Sequence, residues 1–454
     1  MMSPPVGILL ASVRSTFASS GAWLLGRLGV GASEPVRGIG SPLPRAPEHG
    51  TCIYLDYQAT TPVWPEVAEA AAPFLTTYWG NPSSDHAFGR PCAAAVKSAR
   101  SAVASLLGAH ADEILFTASG SEADNHCIIS AVELYEARAR AAGERFPLDP
   151  PPHVVTTNAE HPAVERCLQA LEAAGRCATT YVPVSGEGRV SAGAIAAALT
   201  PQTVLVTVMH ANNEVGSVNP IHDISAAVKA ANPAVLVHTD AAQSVGKVHV
   251  DVTDLGVDLL TLVGHKIGAP KGVGALYIRR GLRLPNLLHG GGQEAGRRAG
   301  TESVLLIAAL GRACEIASDE RPALSRHMEA TRARLAQLLT EALGDASQDT
   351  SGGVLIHGPA DPELRLPNTL SIGLRGVRAA ELLSTLSDRL AASAGAACHT
   401  DSASVSAVLR AMGVPTEYAV GTLRLSTGRH TTMREVEEGA QLIIDEARRQ
   451  RKAQ

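Results

Sequence analysis

From about residue 110 to residue 280, short apolar runs alternate with longer segments of helical or turn-rich character. The runs are Glu113–Thr117, His153–Asn158, Thr179–Pro183, Val204–Met209, Val235–Asp240, Leu259–Gly264 and Ala275–Arg279. Ala-rich stretches such as Ser121–Ala142 and Ile221–Ala231 lie between several of them. Strands alternating with helices predict an α/β layer on a mainly parallel, seven-stranded sheet. In such sheets ligands sit outside the carboxyl ends of the strands.

After about residue 320 the pattern changes. A long helical stretch, Glu320–Leu343, stops at Gly344, a residue suited to a helix C-terminus. A strand at Leu370–Leu374, a helix at Ala379–Leu390 and a loop of small residues around Cys398 follow. A last helix opens with Thr432 and Glu435 at capping-box spacing. The reading is an N-terminal extension at 1–46, a large domain at 52–319 and a smaller α+β domain at 320–454.

Composition narrows the function classes. A chain of 454 residues, 45% hydrophobic and 18% charged, can bury a large core. A formal net charge of -5 offers no surface for nucleic acid or anionic lipid, so neither is expected as a partner. No apolar run approaches the roughly 18 to 20 residues that cross a bilayer. Seven cysteines, an odd number without a CxxC pair, argue for a reducing compartment rather than a disulfide framework. The 16 histidines include no HExxH and no Cys/His cluster, so no metal site is expected. Residues 1–33 lack Asp and Glu but carry Arg14, Arg27 and several serines. Such a start resembles a transit peptide for mitochondrion or plastid; a plain extension in a cytoplasmic protein, or a secretory signal, are the alternatives.

Five stretches carry candidate chemistry. The apolar run Leu259–Gly264 leads into His265 and Lys266. A lysine at the end of a buried strand loses its proton more readily, and its neutral amine can join an aldehyde cofactor; a surface lysine at a strand end is the plainer alternative. Val235–Asp240 likewise ends in a carboxylate, suited to a protonated ring nitrogen or to capping a helix, with Gln243 beside it. Ser119-Gly120-Ser121 opens a helix with small residues that expose backbone N–H groups to a phosphate. Cys398 stands among small residues with His399 next to it, which favours the thiolate. Arg424 lies in an apolar segment, where its fork needs a carboxylate, from substrate or from a salt bridge.

The order of these stretches is distinctive. With Tyr54 through Pro62, Gly80-Asn81-Pro82-Ser83-Ser84, Ala159 through Val164, Ala211-Asn212-Asn213-Glu214, His238 through Gln243, Gly264-His265-Lys266, Ala299 through Glu302 and Gly395 through Cys398, the sequence resembles the cysteine desulfurase and selenocysteine lyase family of fold type I pyridoxal 5'-phosphate enzymes. The resemblance covers about residue 52 to the end. It implies that Lys266 binds the cofactor aldehyde and that Asp240 partners the ring nitrogen. Gln243 and Asn213 lie beside the ring in this likeness, and His161 stacks on it and shuttles protons. Gly120, Ser121 and His265 match phosphate positions. Thr301 matches a threonine that reaches the phosphate of a partner subunit, which implies a homodimer. Arg424 and Asn81 match the site for the substrate carboxylate, and Cys398 matches the nucleophile.

Two departures stand out. Ser119-Gly120-Ser121 replaces the usual Gly, small residue, Thr. Val263 stands where bacterial-type desulfurases often have a phosphate-binding Ser. Val263, the Ala-Ala-Cys-His-x-Asp run and Val182-Pro183-Val184-Ser185 look more like animal-type selenocysteine lyases. The expected reaction is therefore release of selenium from L-selenocysteine, giving L-alanine. Desulfuration of L-cysteine to a Cys398 persulfide is the alternative, with an acceptor protein or reductant taking the sulfur or selenium. An aminotransferase and a sulfur carrier without cofactor chemistry are weaker rivals.

Overall fold

The computed structural model describes residues 52–344, 353–397 and 404–453. Seven strands form the main sheet: β1 (Ile114–Thr117), β2 (His153–Thr157), β3 (Ala178–Val182), β4 (Thr203–Thr207), β5 (Leu236–Asp240), β6 (Leu259–Val263) and β7 (Gly274–Ile278). Their order is β1-β7-β6-β5-β4-β2-β3, and only β7 runs against the others. The strands fall within one or two residues of the apolar runs. The reason is burial on both faces, which makes a parallel strand read as an unbroken apolar run. All five residues of β6 are buried.

Helices cover both faces. On one side lie α1 (Gly89–Leu107) and α4 (Ile221–Ala231); on the other lie α2 (Gly120–Ala141) and α3 (Pro162–Ala173). A second, four-stranded sheet is built from β8 (Val354–Ile356), β9 (Thr369–Leu374), β10 (Ser393–Ala394) and β11 (Thr422–Ser426). It packs on α6 (Met433–Lys452), whose Thr432 and Glu435 form the expected capping box.

Two sequence readings change. The helix expected at Glu320–Leu343 is α5, Val304–Leu343, so the boundary drawn at 319/320 falls inside it. Its first half contributes Ile307, Leu310 and Cys314 to the core beside the main sheet; its second half contributes Leu335, Leu339 and Leu343 to the core beside the smaller sheet. The helix expected at Ala379–Leu390 stops at Thr385, because Leu390 instead pairs with Ile53 in a short parallel ladder.

Among the described residues there is no group that could hold a metal ion, and no helix long and apolar enough to cross a membrane. Cys92, Cys127, Cys167, Cys177 and Cys314 are buried free thiols, and Cys52 is a half-buried one.

Candidate active site

A cavity of about 400 Å³ opens at the carboxyl ends of β5 and β6. Lys266, Asp240, Gln243, Asn213, His161, Gly120, Ser121, His265 and Arg424 all line it, so most of the residues singled out in the sequence converge there. Lys266 ends the single turn that follows β6. Its Nζ donates to the Ala59 carbonyl at 2.9 Å and to the Gln58 carbonyl. Burial, seconded by the Arg424 charge, lowers its pKa to about 8, against the pull of Asp240 and Asp56. The amine therefore reaches its neutral, nucleophilic form far below the ordinary lysine range.

Asp240 closes β5 and is 7% exposed. Burial pushes its carboxyl up, while the Ala242 N–H, which donates to Oδ1 at 2.8 Å, His161 and Lys266 pull it down. Behind it runs a polar row across three strands. His238 Nδ1 lies 2.8 Å from Thr207 Oγ1, and its Nε2 lies 3.1 Å from Thr261 Oγ1. Burial lowers the His238 pKa to about 3, so this ring is neutral and adds no charge beside Asp240.

His161 caps α3, its Nδ1 accepting from the Ala163 N–H at 3.1 Å. The ring opens onto the cavity, yet its position in the cleft keeps its pKa below the usual histidine value, chiefly by desolvation. His265 Nδ1 meets Thr60 Oγ1 at 3.1 Å, and burial brings its pKa to about 4. Gly120 and Ser121 start α2, capped by Ser119, which accepts from the Glu122 N–H at 3.1 Å. Arg424 comes from β11 of the smaller sheet. It donates to Asp56 Oδ1 at 3.0 Å, Ser393 Oγ at 2.8 Å and the Asn213 carbonyl at 3.2 Å, and its Nε has no partner.

Two residues stand away from this cavity. Asn81 is exposed, and its side-chain oxygen accepts from the Ser83 N–H at 2.9 Å; it shapes its own turn, because an Asn two residues ahead of an N–H closes a local ring. Thr301 is exposed on the loop before α5. Cys398 lies outside the described residues. The sequence reading missed Gln58, Asp124 and Met209, which also line the cavity. Asp124 carried a signal: it is three residues past Ser121 on a helix, hence on the same face.

The family model for class-V aminotransferases matches residues 53–438. A cysteine desulfurase of Trichormus azollae is 42% identical over 386 residues, covering 85% of this chain and 90% of that protein. The chain belongs to the cysteine desulfurase family. It is thus a fold type I, class-V aminotransferase-like enzyme whose cofactor is pyridoxal 5'-phosphate. Two solved structures are similar to this desulfurase-family chain. A NifS-like protein has TM-score 0.77 at 34% identity, covering 87% of this chain and 98% of that one. SspA in complex with cysteine has TM-score 0.67 at 32% identity, covering 84% and 99%.

The site fits the cofactor on its own terms. Gln243 Oε1 is buried without a hydrogen-bond partner, leaving a polar group for a ring to satisfy. A Cβ on Gly120 would stand 2.5 Å from Val263 Cγ2, so only glycine leaves this helix start room against β6. An amine, a carboxylate and a helix N-terminus match an aldehyde, a ring nitrogen and a phosphate.

Proposed function

We propose that this enzyme is a cysteine desulfurase that moves the sulfur of L-cysteine onto Cys398 and releases L-alanine. The observation that carries the reading is the convergence of Lys266, Asp240, His161 and Arg424 on one cavity, in a chain 42% identical to a protein named cysteine desulfurase. The substrate choice is further supported by the cysteine held in the SspA structure. The sequence departures at Val263 and around Cys398 favour L-selenocysteine as the second reading, but the names of the relatives favour the sulfur substrate.

When bound, pyridoxal 5'-phosphate draws electrons from the substrate's α-carbon. Asp240 is placed to keep the ring nitrogen protonated. Lys266 Nζ, with its lowered pKa, gives up and takes back a proton near neutral pH; His161 faces the same space and is a second proton carrier. Arg424 receives the substrate carboxylate, using the Nε that has no partner inside the protein. Cys398, as thiolate, bonds to the substrate's sulfur and becomes a persulfide. The carbon skeleton keeps the electrons of the broken C–S bond and leaves, once protonated, as alanine. A homodimer completed by Thr301, and an acceptor that takes the persulfide sulfur, belong to the same proposal.

Alanine released from L-cysteine and from L-selenocysteine without oxygen, by wild type and Cys398→Ala side by side, tests it. Substantial cysteine turnover that disappears in Cys398→Ala is expected. A wild type that turns over selenocysteine alone sinks the desulfurase reading and restores the selenium one.

A further inference from the structure

Asn213 lines the cavity, and the next residue, the half-buried Glu214, has a different partner. The loop between β4 and α4 holds both. Asn212 Oδ1 accepts from the Glu214 N–H at 2.9 Å and from the Val215 N–H at 3.0 Å, and Asn212 Nδ2 donates to the Ala159 carbonyl at 3.1 Å. The Glu214 side chain meets Ser406, 192 residues away in sequence, whose hydroxyl donates to Glu214 Oε2 at 2.5 Å. The direction of this bond is fixed. A serine hydroxyl has one proton and two acceptor positions. Ser406 Oγ already accepts from the Val408 N–H at 3.1 Å and the Leu409 N–H at 3.3 Å, as the cap of the short helix Ala407–Ala411. Its one proton is left for Glu214.

Ser406 also ends a small antiparallel ladder. Ala396 pairs with Val405 and Ala397 with Ser404, and the Ser406 N–H donates to the Gly395 carbonyl at 2.9 Å. Cys398 follows Ala397 directly in sequence. The first leg of the ladder continues β10, where Ser393 stands opposite Arg424 and accepts from it at 2.8 Å. The Gly395 N–H donates to the Thr422 carbonyl at 2.8 Å, and a Cβ on Gly395 would stand 2.9 Å from Leu409 Cδ1 and from Thr422 Cγ2. Both legs are thus fastened beside Arg424, the first through Ser393 and the second through Glu214, whose neighbour Asn213 receives Arg424 on its carbonyl.

We propose that Glu214 is a positioning residue for the sulfur-transfer step: as acceptor for Ser406, it holds the second leg of the ladder that leads into Cys398 against the loop that carries Asn213. This rests on the reading of Cys398 as the sulfur acceptor. Asn212 fixes the backbone of Glu214 on its own, so loss of the carboxylate leaves Asn213 and Arg424 in place. The effect therefore falls on the step that needs the thiol, and binding of the substrate is spared.

Two readouts separate these steps. The change in the cofactor's visible band on mixing with L-cysteine needs Lys266 and Arg424 but not Cys398; alanine release needs Cys398 as well. In Glu214→Ala, alanine release should fall at least about tenfold, since displacing a reacting group by about 1 Å can cost about a hundredfold. The band change should keep its wild-type rate to within about twofold. Glu214→Gln, whose carbonyl accepts the same hydrogen bond, should stay within about threefold of wild type in both. Undiminished alanine release in Glu214→Ala overturns the proposal. So does a band change slowed as much as alanine release, or a Glu214→Gln as slow as Glu214→Ala. Should Glu214→Ala not retain the cofactor, Ser406→Ala is read in its place: alanine release lost with the band change intact supports the proposal, and any other result overturns it. Cys398→Ala separates the two readings: it should keep the band change and lose alanine release, and a Cys398→Ala that releases alanine like wild type overturns the assignment of Cys398 itself, whatever Glu214 does.

Discussion

The contact between Gly120 and Val263 yields a magnitude. Replacing Gly120 by Ala puts a methyl group 2.5 Å from Val263 Cγ2, with Thr261 Cγ2 at 3.7 Å. Carbon atoms rest at about 3.5–4.0 Å, so roughly 1 Å must be recovered. Val263 is 7% exposed and β-branched, which leaves it no cheap rotamer to escape into. Overpacking of this kind costs about 1–3 kcal/mol. Alanine returns less than about 1 kcal/mol in helix propensity, since the first turn of α2 gains least. The net cost, about 1–2 kcal/mol, falls on the helix start that faces the phosphate. It should weaken pyridoxal 5'-phosphate binding about tenfold. A spectral titration of the cofactor-free protein measures the dissociation constant. The double variant Gly120→Ala/Val263→Ala should return to within about threefold of wild type, because the added methyl takes the space given up. A single variant that binds as tightly as wild type, or a double variant that does not recover, refutes the steric account.

Two further outcomes follow from other sites. Gly268 has φ +82°, and its Cβ would lie 2.2 Å from Trp64 Cδ2, so Gly268→Ala should lose at least about 3 kcal/mol of stability by urea denaturation; an unchanged midpoint and slope count against it. Glu160 accepts from Thr157 Oγ1 at 2.6 Å and from the Met209 N–H at 3.0 Å, yet burial pushes its carboxyl up to about 8. Its folded pKa is raised above the unfolded one, so the folded state holds the extra proton and this stability is lost as pH rises from about 4.5 to 8. Glu160→Gln should therefore gain on the wild type by about 2 kcal/mol between pH 5 and pH 9, less than the full shift because the residue is partly exposed; a difference flat in pH contradicts that assignment.

Strands and cavity residues were largely legible in the chain because burial and chemistry leave local marks. β6 is an apolar run followed at once by the lysine it delivers, and the same holds for β5 and Asp240. Non-local pairing leaves no such mark. Leu390 continues a helical pattern in the sequence, and only its pairing with Ile53 makes it a strand residue. The first half of α5 is enclosed by α1, where Gly311 approaches Ala99 so closely that a Cβ would stand 2.6 Å away, and a helix buried this thoroughly loses the polar stripe that announces it.

The 40-residue α5 spans about 60 Å and sits in both cores, with Pro322 near its middle. For anyone building hybrids between this chain and a relative, that helix dictates where the cut belongs. A join at residue 319 would pair half of one parent's helix with half of the other's and scramble two interiors at once. A join in the loop just ahead of Val304 transfers the helix intact, so that only its contacts with the upstream layer have to be re-matched.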